Sequence, residues 1–249
     1  MLTRLEMKLQ APAPLSRNMA SAFHGVLMEQ IPSSYAEELH HSRLHPYAQH
    51  LEYRQGDWYW IVTCTGREAS DILIRDTLLH TDSFLLKKAG IPVQIVSRTC
   101  EERSLQNLSE SFCFGQSDRY AALCFLTPTA FKTAGRYLIL PDLRCLYQSL
   151  MNKYDAACGT EQMADPETLE ELTLQSEIVR YDLKSTIFPL EGSKVPGFYG
   201  TMTLRINGSQ TMVNFANMLL AFGEYSGIGI KASLGMGAMQ VIRERSSDR

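Results

Sequence analysis

Near its end the chain runs Gly227-Ile228-Gly229-Ile230-Lys231-Ala232-Ser233-Leu234-Gly235-Met236-Gly237, four glycines in the pattern G-x-G-x5-G-x-G. The flanks define what this loop joins. Phe215, Met218, Leu219 and Phe222 recur at i, i+3, i+4 and i+7, the spacing of a helix with one buried face, and Ala238 to Ile242 reads as a short strand. Helix, glycine loop, strand reverses the order of the two familiar phosphate loops, which need a helix N-terminus pointing at the phosphate. The glycine spacing matches neither of them, which argues against a nucleotide-cofactor site. What is left is a backbone that can approach a ligand closely and present amide N–H groups, with Lys231 as its one cationic side chain. That suits a phosphodiester chain. A tight, close-packed turn feeding the last strand explains the same glycines, and composition alone does not separate the two readings.

Upstream, one order of elements occurs twice. Leu2 to Gln10 alternates as a strand does, until the prolines at 12 and 14. Phe23, Val26, Leu27 and Ile31 then keep helical spacing up to Pro32, and Tyr35 to His41 adds a helical turn. Segments 49–54 and 58–64 flank Gln55-Gly56-Asp57 as a hairpin, 68–86 reads as a helix and 93–99 as a strand. This β-α-β-β-α-β order is the ferredoxin-like one. A polar patch from Gln106 to Asp118 marks a boundary. Beyond it come a strand over 120–126, a helix over 143–154, a loop-like stretch over 156–167, strands over 178–183 and 200–206, and the last helix, loop and strand. The expectation is an α+β protein of two tandem ferredoxin-like domains of the RRM type packed side by side. Residues 1–117 hold a histidine-rich segment and 118–249 the glycine loop, with no repeat at the level of residues.

A length of 249 residues accommodates two such domains, and 45% apolar with 20% charged residues is the balance of a globular protein. The formal net charge of −3 disfavours a general nucleic-acid coat protein but leaves room for local clusters: Lys87 with Lys88, Arg98 with Arg103, Arg180 with Lys184, Arg243 with Arg245. Charges interrupt the opening Met1 to Lys8, and no apolar run approaches the roughly 18 residues of a membrane helix, so a cytoplasmic location without a membrane partner is expected. The six cysteines are scattered without a C-x-x-C pair and read as reduced thiols. Trp58-Tyr59-Trp60 serves either a core or base stacking. No G-x-S-x-G motif supports an acyl-enzyme.

Four of the six histidines, His40, His41, His45 and His50, lie close together. Loop exposure and a metal site are both open to such a cluster. Against metal, no Asp, Glu or Cys stands among His40, His41 and His45, and no H-E-x-x-H occurs, so neither metal nor cofactor is expected. Acid–base catalysis fits better, because imidazole both takes and gives a proton near neutral pH.

Taken together, these blocks resemble the CRISPR-associated endoribonucleases that process precursor CRISPR RNA, within the RAMP superfamily. Gly25-Val26-Leu27 through Glu38-Leu39-His40, then His45-Pro46-Tyr47, look like the family's helix, its histidine and the stretch after it. Phe125 to Phe131 is similar to the opening of its second half, Gly197-Phe198-Tyr199-Gly200 to a further block, and Phe222 to Gly237 to its glycine loop. The resemblance implies two RAMP-type ferredoxin-like domains and metal-independent cleavage within CRISPR repeats. In that reaction the 2′-hydroxyl attacks the adjacent phosphate, leaving a 2′,3′-cyclic phosphate and a 5′-hydroxyl, with the mature RNA retained. It implies repeat RNA and a CRISPR effector complex as partners, and leaves the oligomeric state open. His40 falls on the family's catalytic position, with His41 as the alternative. His45 stands where relatives have a lysine and, when protonated, would stabilise the phosphorane. Met28 stands where some relatives have a tyrosine, leaving Tyr35, Tyr47 or Lys231 to fill that role. Lys231, Gly227, Gly229, Gly235, Gly237 and Ser233 are the expected RNA-binding residues. The competing readings are a RAMP-fold subunit that binds guide RNA without cutting it, and a metal-dependent enzyme using the histidines.

Overall fold

Strict alternation in the first strand defines the first layer. In a computed structural model, which describes residues 1–159, 164–190 and 192–243, β1 (Leu2–Gln10) buries Leu5, Met7 and Leu9 on one face and turns Arg4, Glu6 and Lys8 to the other. It lies antiparallel between β3 (Asp57–Cys64) and β5 (Ile91–Arg103). β2 (Tyr47–Arg54) flanks β3 and β4 (Ser83–Leu86) flanks β5, giving the order β2-β3-β1-β5-β4. Gln55 and Gly56, at φ 53° and 91°, close the β2–β3 hairpin, a pair of positive φ values that suits the twist of the strands. α1 (Ala20–Gln30) and α2 (Ser33–His41) connect β1 to β2. α3 (Arg67–Ala69) continues into a π-helix, Ser70–Leu78, on the way to β4.

The second sheet has the order β11-β6-β10-β9, built from β6 (Tyr120–Thr129), β9 (Ser176–Leu190), β10 (Ser193–Ile206) and β11 (Met239–Ile242). Its first strand again lies inside, antiparallel to both neighbours, so both halves have the ferredoxin-like arrangement. A small hairpin of β7 (Phe131–Thr133) and β8 (Arg136–Leu138) follows β6. Three helices supply the crossovers: α5 (Leu143–Cys158), α6 (Pro166–Leu174) and α7 (Gln210–Ser226). α5 starts where the Asp142 carboxylate accepts the Cys145 N–H at 2.7 Å, and it ends at Gly159 in the left-handed region at φ 74°.

Three expectations need correction. The helix expected over 68–86 ends at Leu78, and Ser83–Leu86 is a strand paired with β5; Phe84 and Leu86 are buried while Leu85 is exposed, an alternation that four residues are too few to advertise. The polar patch at 106–118 holds a helix, α4 (Leu105–Cys113), whose N-cap is the Ser104 hydroxyl accepting from Asn107 N–H at 2.8 Å. It needs little apolar surface, because of its residues only Leu108 is buried. The loop-like stretch at 156–167 is bounded by the end of α5 and the start of α6, which Asp165 caps ahead of Pro166; residues 160–163 lie outside the described residues, as do 191 and 244–249 with Arg245.

Each sheet closes one core. Phe23, Trp60 and Phe84 meet edge to face at centroid distances of 5.1 to 5.5 Å under the first sheet. Phe125, Phe198, Tyr147 and Phe222 anchor the second. The cores interlock: Ala130, Phe188, Val195 and Met236 pack with the first, whereas Leu2 and Leu108 pack with the second.

Candidate active site

The glycine loop sits at the seam between the halves. Gly227, Gly229, Gly235 and Gly237 all have positive φ, at 61°, 71°, 105° and 70°. All four are also crowded: a Cβ at Gly235 would collide with Ala20 of α1, one at Gly237 with the Ile228 carbonyl, one at Gly229 with the Ala130 carbonyl and one at Gly227 with the Ala232 side chain. Most amides of the loop are committed within the protein. Ile228 N–H donates to Gly237 O at 2.8 Å, Gly237 N–H to Pro128 O at 3.0 Å, Ile230 N–H to Ala130 O at 3.0 Å and Gly229 N–H to the Ser149 hydroxyl at 2.9 Å. The glycines therefore let the backbone fold tightly back on itself. Lys231 and Leu234 are partly exposed and bracket the buried Ala232 and Ser233; Lys231, at φ 59°, precedes the 3-10 turn Ala232–Leu234.

Ser233 is fastened from the first half. Gln49, buried on β2, donates through Nε2 to Ser233 O at 3.0 Å and to Ala20 O at 2.8 Å, while its Oε1 accepts from Trp60 Nε1 at 3.0 Å. The Ser233 side chain lies beside the Tyr47 hydroxyl of the same strand as Gln49. With every polar atom of Gln49 engaged, the loop is held against α1 and β2 by a satisfied buried network.

Beside Ser233 opens a cleft of 440 Å³ lined by His24, Met28, His40, His45, Ser233 and Leu234, among others. Four segments meet there: α1 gives His24 and Met28, one turn apart on the same helical face; the last turn of α2 gives His40; the loop before β2 gives His45; the glycine loop gives the rest. His24 is fixed by a 2.8 Å hydrogen bond between Nδ1 and the Tyr47 hydroxyl, its ring parallel to that of Tyr47 at 6.3 Å. His45 is held by the Thr65 N–H bond to Pro46 O at 2.8 Å, and its ring meets Tyr47 edge to face at 5.7 Å. Its buried Nδ1 has no hydrogen-bond partner among the described residues. His41 is exposed, its ring 5.7 Å from that of His40, and it does not line the cleft. His50 is buried within β2, near Arg4 and Glu6.

Burial sets the electrostatics. It pulls the pKa of His24 down to about 4, with the charge of a protonated His45 opposing it further. His45 is also lowered, by burial first and then by Lys153 and His40. Both imidazoles therefore rest in the neutral form near pH 7. Lys153, from α5, is the cation of this corner: its ammonium donates to the carbonyls of Ser226 and Gly227, each at 3.1 Å, and burial brings its pKa down to about 7. Burial raises Tyr47, which stays a protonated phenol. Such a set transfers protons and donates hydrogen bonds. Among the described residues, no group of three or more His, Cys, Asp or Glu side chains is placed to hold a metal ion, and no helix is long and apolar enough to cross a membrane.

On the other side of the loop runs a groove of 740 Å³. Lys87 and Lys88 reach it from the β4–β5 turn and Lys231 from the glycine loop, facing the small residues Ser21, Ala22 and Gly25 of α1. Leu234 lines both the groove and the histidine cleft, so the two are neighbours. Lys87 is also paired with Glu29 at 2.8 Å.

His24, Tyr47, Gln49 and Lys153 do not stand out as a group in the sequence. His24 follows directly on Phe23 in an amphipathic helix and reads as a polar residue of its rim. Lys153 does carry a signal: it sits between Met151 and Tyr154, both buried, on the helix α5.

The family model described as CRISPR-associated endoribonuclease Cas6 matches residues 123–239. The CRISPR-associated endoribonuclease Cas6 of Mycobacterium tuberculosis H37Rv is 36% identical over 249 residues, covering 96% of this chain and 78% of that protein. That of Streptococcus thermophilus is 33% identical over 226 residues, covering 91% and 92%. Among solved structures, a product complex of Thermus thermophilus Cas6 superposes with a TM-score of 0.80 at 22% identity, over 97% of this chain and 100% of that one, a likeness of fold.

Proposed function

The chain belongs to the Cas6 family of CRISPR-associated endoribonucleases, and on that premise we propose that it cuts precursor CRISPR RNA in the cleft between His40 and the glycine loop. The observation that carries this assignment is the convergence of the neighbouring His40 and His45 with Ser233, from the far end of the chain, on one cleft beside a lysine-lined groove. The repeat strand lies along the groove, where Lys231, Lys87 and Lys88 neutralise phosphates and the small residues of α1 let it approach. The scissile phosphate enters the cleft past Leu234. There the 2′-hydroxyl attacks the adjacent phosphorus, the O2′–P bond forms and the P–O5′ bond breaks, leaving a 2′,3′-cyclic phosphate and a 5′-hydroxyl. The reaction needs a group to take the 2′ proton, one to protonate O5′, and donors for the charge on the phosphorane. His40, exposed at the mouth of the cleft, is the principal proton-transfer residue. His45, held neutral, donates or accepts one hydrogen bond at the phosphate, and the nearby positive charge is that of Lys153. Gly227, Gly229, Gly235 and Gly237 act through the shape of the loop, and Ser233 and Lys231 through contact with the strand. The product stays bound through the groove and is handed to an effector complex.

Single-turnover cleavage of an RNA carrying one CRISPR repeat tests the assignment. His40→Ala is expected to slow cleavage about 10²–10⁴-fold, or roughly 3–5 kcal/mol of barrier, with repeat affinity unchanged. Full activity in His40→Ala would place the chemistry elsewhere.

A further inference from the structure

The histidine cleft does not end at His45. Leu39 and His45 also line a second cavity, of 330 Å³, bounded by residues of α2, α3 and α5. Beyond it, Leu44 and Lys153 belong at once to that cavity and to a third, of 420 Å³, which Lys132 also lines. Because Leu234 joins the groove to the cleft, groove, cleft, second cavity and third cavity share walls in one series. A strand that enters by the groove continues past the cut along that series. The second cavity has the volume of a small-ligand pocket and admits one nucleobase. Its chemistry differs from that of its neighbours. Glu38 of α2 and Glu68 of α3 line it, both exposed, and their carboxylates add to the burial that raises the phenol of Tyr35 in its wall. Neither carboxylate is held in an ion pair among the described residues. Its one Lys or Arg among the described residues is Lys153, whose ammonium already donates to the carbonyls of Ser226 and Gly227. Two carboxylates repel a phosphate and accept hydrogen bonds, which suits a base rather than the backbone.

We propose that the second cavity receives the base of the nucleotide immediately 3′ of the cut and selects one with an exocyclic amino group, an inference that rests on the placement of the reaction in the histidine cleft. Adenine, guanine and cytosine each carry an amino group that donates to a carboxylate. Uracil carries none, and the same carboxylates repel its two carbonyl oxygens. Direction follows from retention of the product. The groove and its three lysines hold the 5′ fragment with the cyclic phosphate, which leaves the cavities beyond His45 to the 3′ fragment. Lys132 of the third cavity then meets the next phosphate of that fragment. A base seated between α2 and α3 fixes the P–O5′ bond beside His40 and His45. Glu38 and Glu68 are specificity-determining residues and take no part in proton transfer.

The test measures kcat/KM for four repeat RNAs that differ only in the nucleotide immediately 3′ of the cut. The adenosine, guanosine and cytidine substrates are expected to react about 10–100-fold faster than the uridine one, the worth of a hydrogen bond to a charged group. Purine riboside in place of adenosine removes the amino group alone and should react as slowly as uridine. In the double variant Glu38→Gln, Glu68→Gln, whose amides both accept and donate, the spread among the four should narrow to about threefold or less. A purely structural defect would lower all four rates together and keep their ratios. Either single variant gives the same reading, as a partial narrowing, if the double variant does not fold. Equal rates for the four substrates with the parent protein, or a preference that survives in the double variant, would overturn the inference. With His40→Ala inactive and the four rates equal, the cleft stands and the base pocket alone falls; with His40→Ala fully active, the cleft assignment falls as well.

Discussion

Three imidazoles lose water as the chain folds, and the protein depends on pH accordingly. The pKa values of His24 and His50 are brought down to about 4 and about 3, and that of His45 is lowered as well, each by burial first. Each lies below its value in the unfolded chain, near 6.5, so between the two values the unfolded state binds more protons. The stability these groups contribute is fully present above about pH 6.5 and is lost as pH falls toward 4. Thermal melts are therefore expected to show Tm dropping steadily below pH 6.5, with a shallower drop in His24→Gln; a Tm independent of pH between 4 and 6.5 would mean that these rings are hydrated in the fold. At this scale the sequence shows the histidines that cluster. His40 and His45 stand out because they fall with two further histidines in one short stretch. His24 is hidden because its chemistry comes from Tyr47, which is distant in sequence, and from burial that no local pattern reports.

Elements with a regular apolar rhythm are legible in the sequence alone: β1, α1, the β2–β3 hairpin, α5 and α7 all announce their period. β4, α4 and α6 do not. Each is short and buries one or two apolar side chains, so its place is decided by pairing with β5 or by caps such as Ser104 and Asp165. The glycine loop is the harder case, because its spacing fits a ligand-facing backbone and a packed turn equally well. The hydrogen bonds favour packing for the glycines, and in the segment that follows only Lys231 and Leu234 are partly exposed while Ala232 and Ser233 are buried. Gly235→Ala accordingly forces a side chain at φ 105° into Ala20 of α1. This is expected to cost about 1–3 kcal/mol in stability, read as a lower urea midpoint. Cleavage should slow with it, because Ser233 and Leu234 move with the loop. An unchanged midpoint would show that the loop is not packed as described.

For the molecule as a whole, the duplicated β-α-β-β-α-β order is readable in the sequence but the seam between the halves is not. Residues that meet there, such as Gln49 and Ser233 or His24 and Tyr47, are brought together only by tertiary packing. The same seam concentrates positive charge on a chain whose formal net charge is −3. Repeat-RNA affinity should therefore fall steeply with salt, and replacing Lys87, Lys88 and Lys231 by alanine should flatten the log K against log salt slope by roughly 2. An unaltered slope would move the RNA path out of the groove. The most direct test of the account is cleavage of a CRISPR repeat RNA in excess EDTA, with and without a single 2′-deoxy substitution before the cut. The account predicts full cleavage of the unmodified RNA in EDTA, a 2′,3′-cyclic phosphate on the product, and none for the substituted RNA. Loss of cleavage in EDTA, or cutting of the 2′-deoxy RNA, would contradict it.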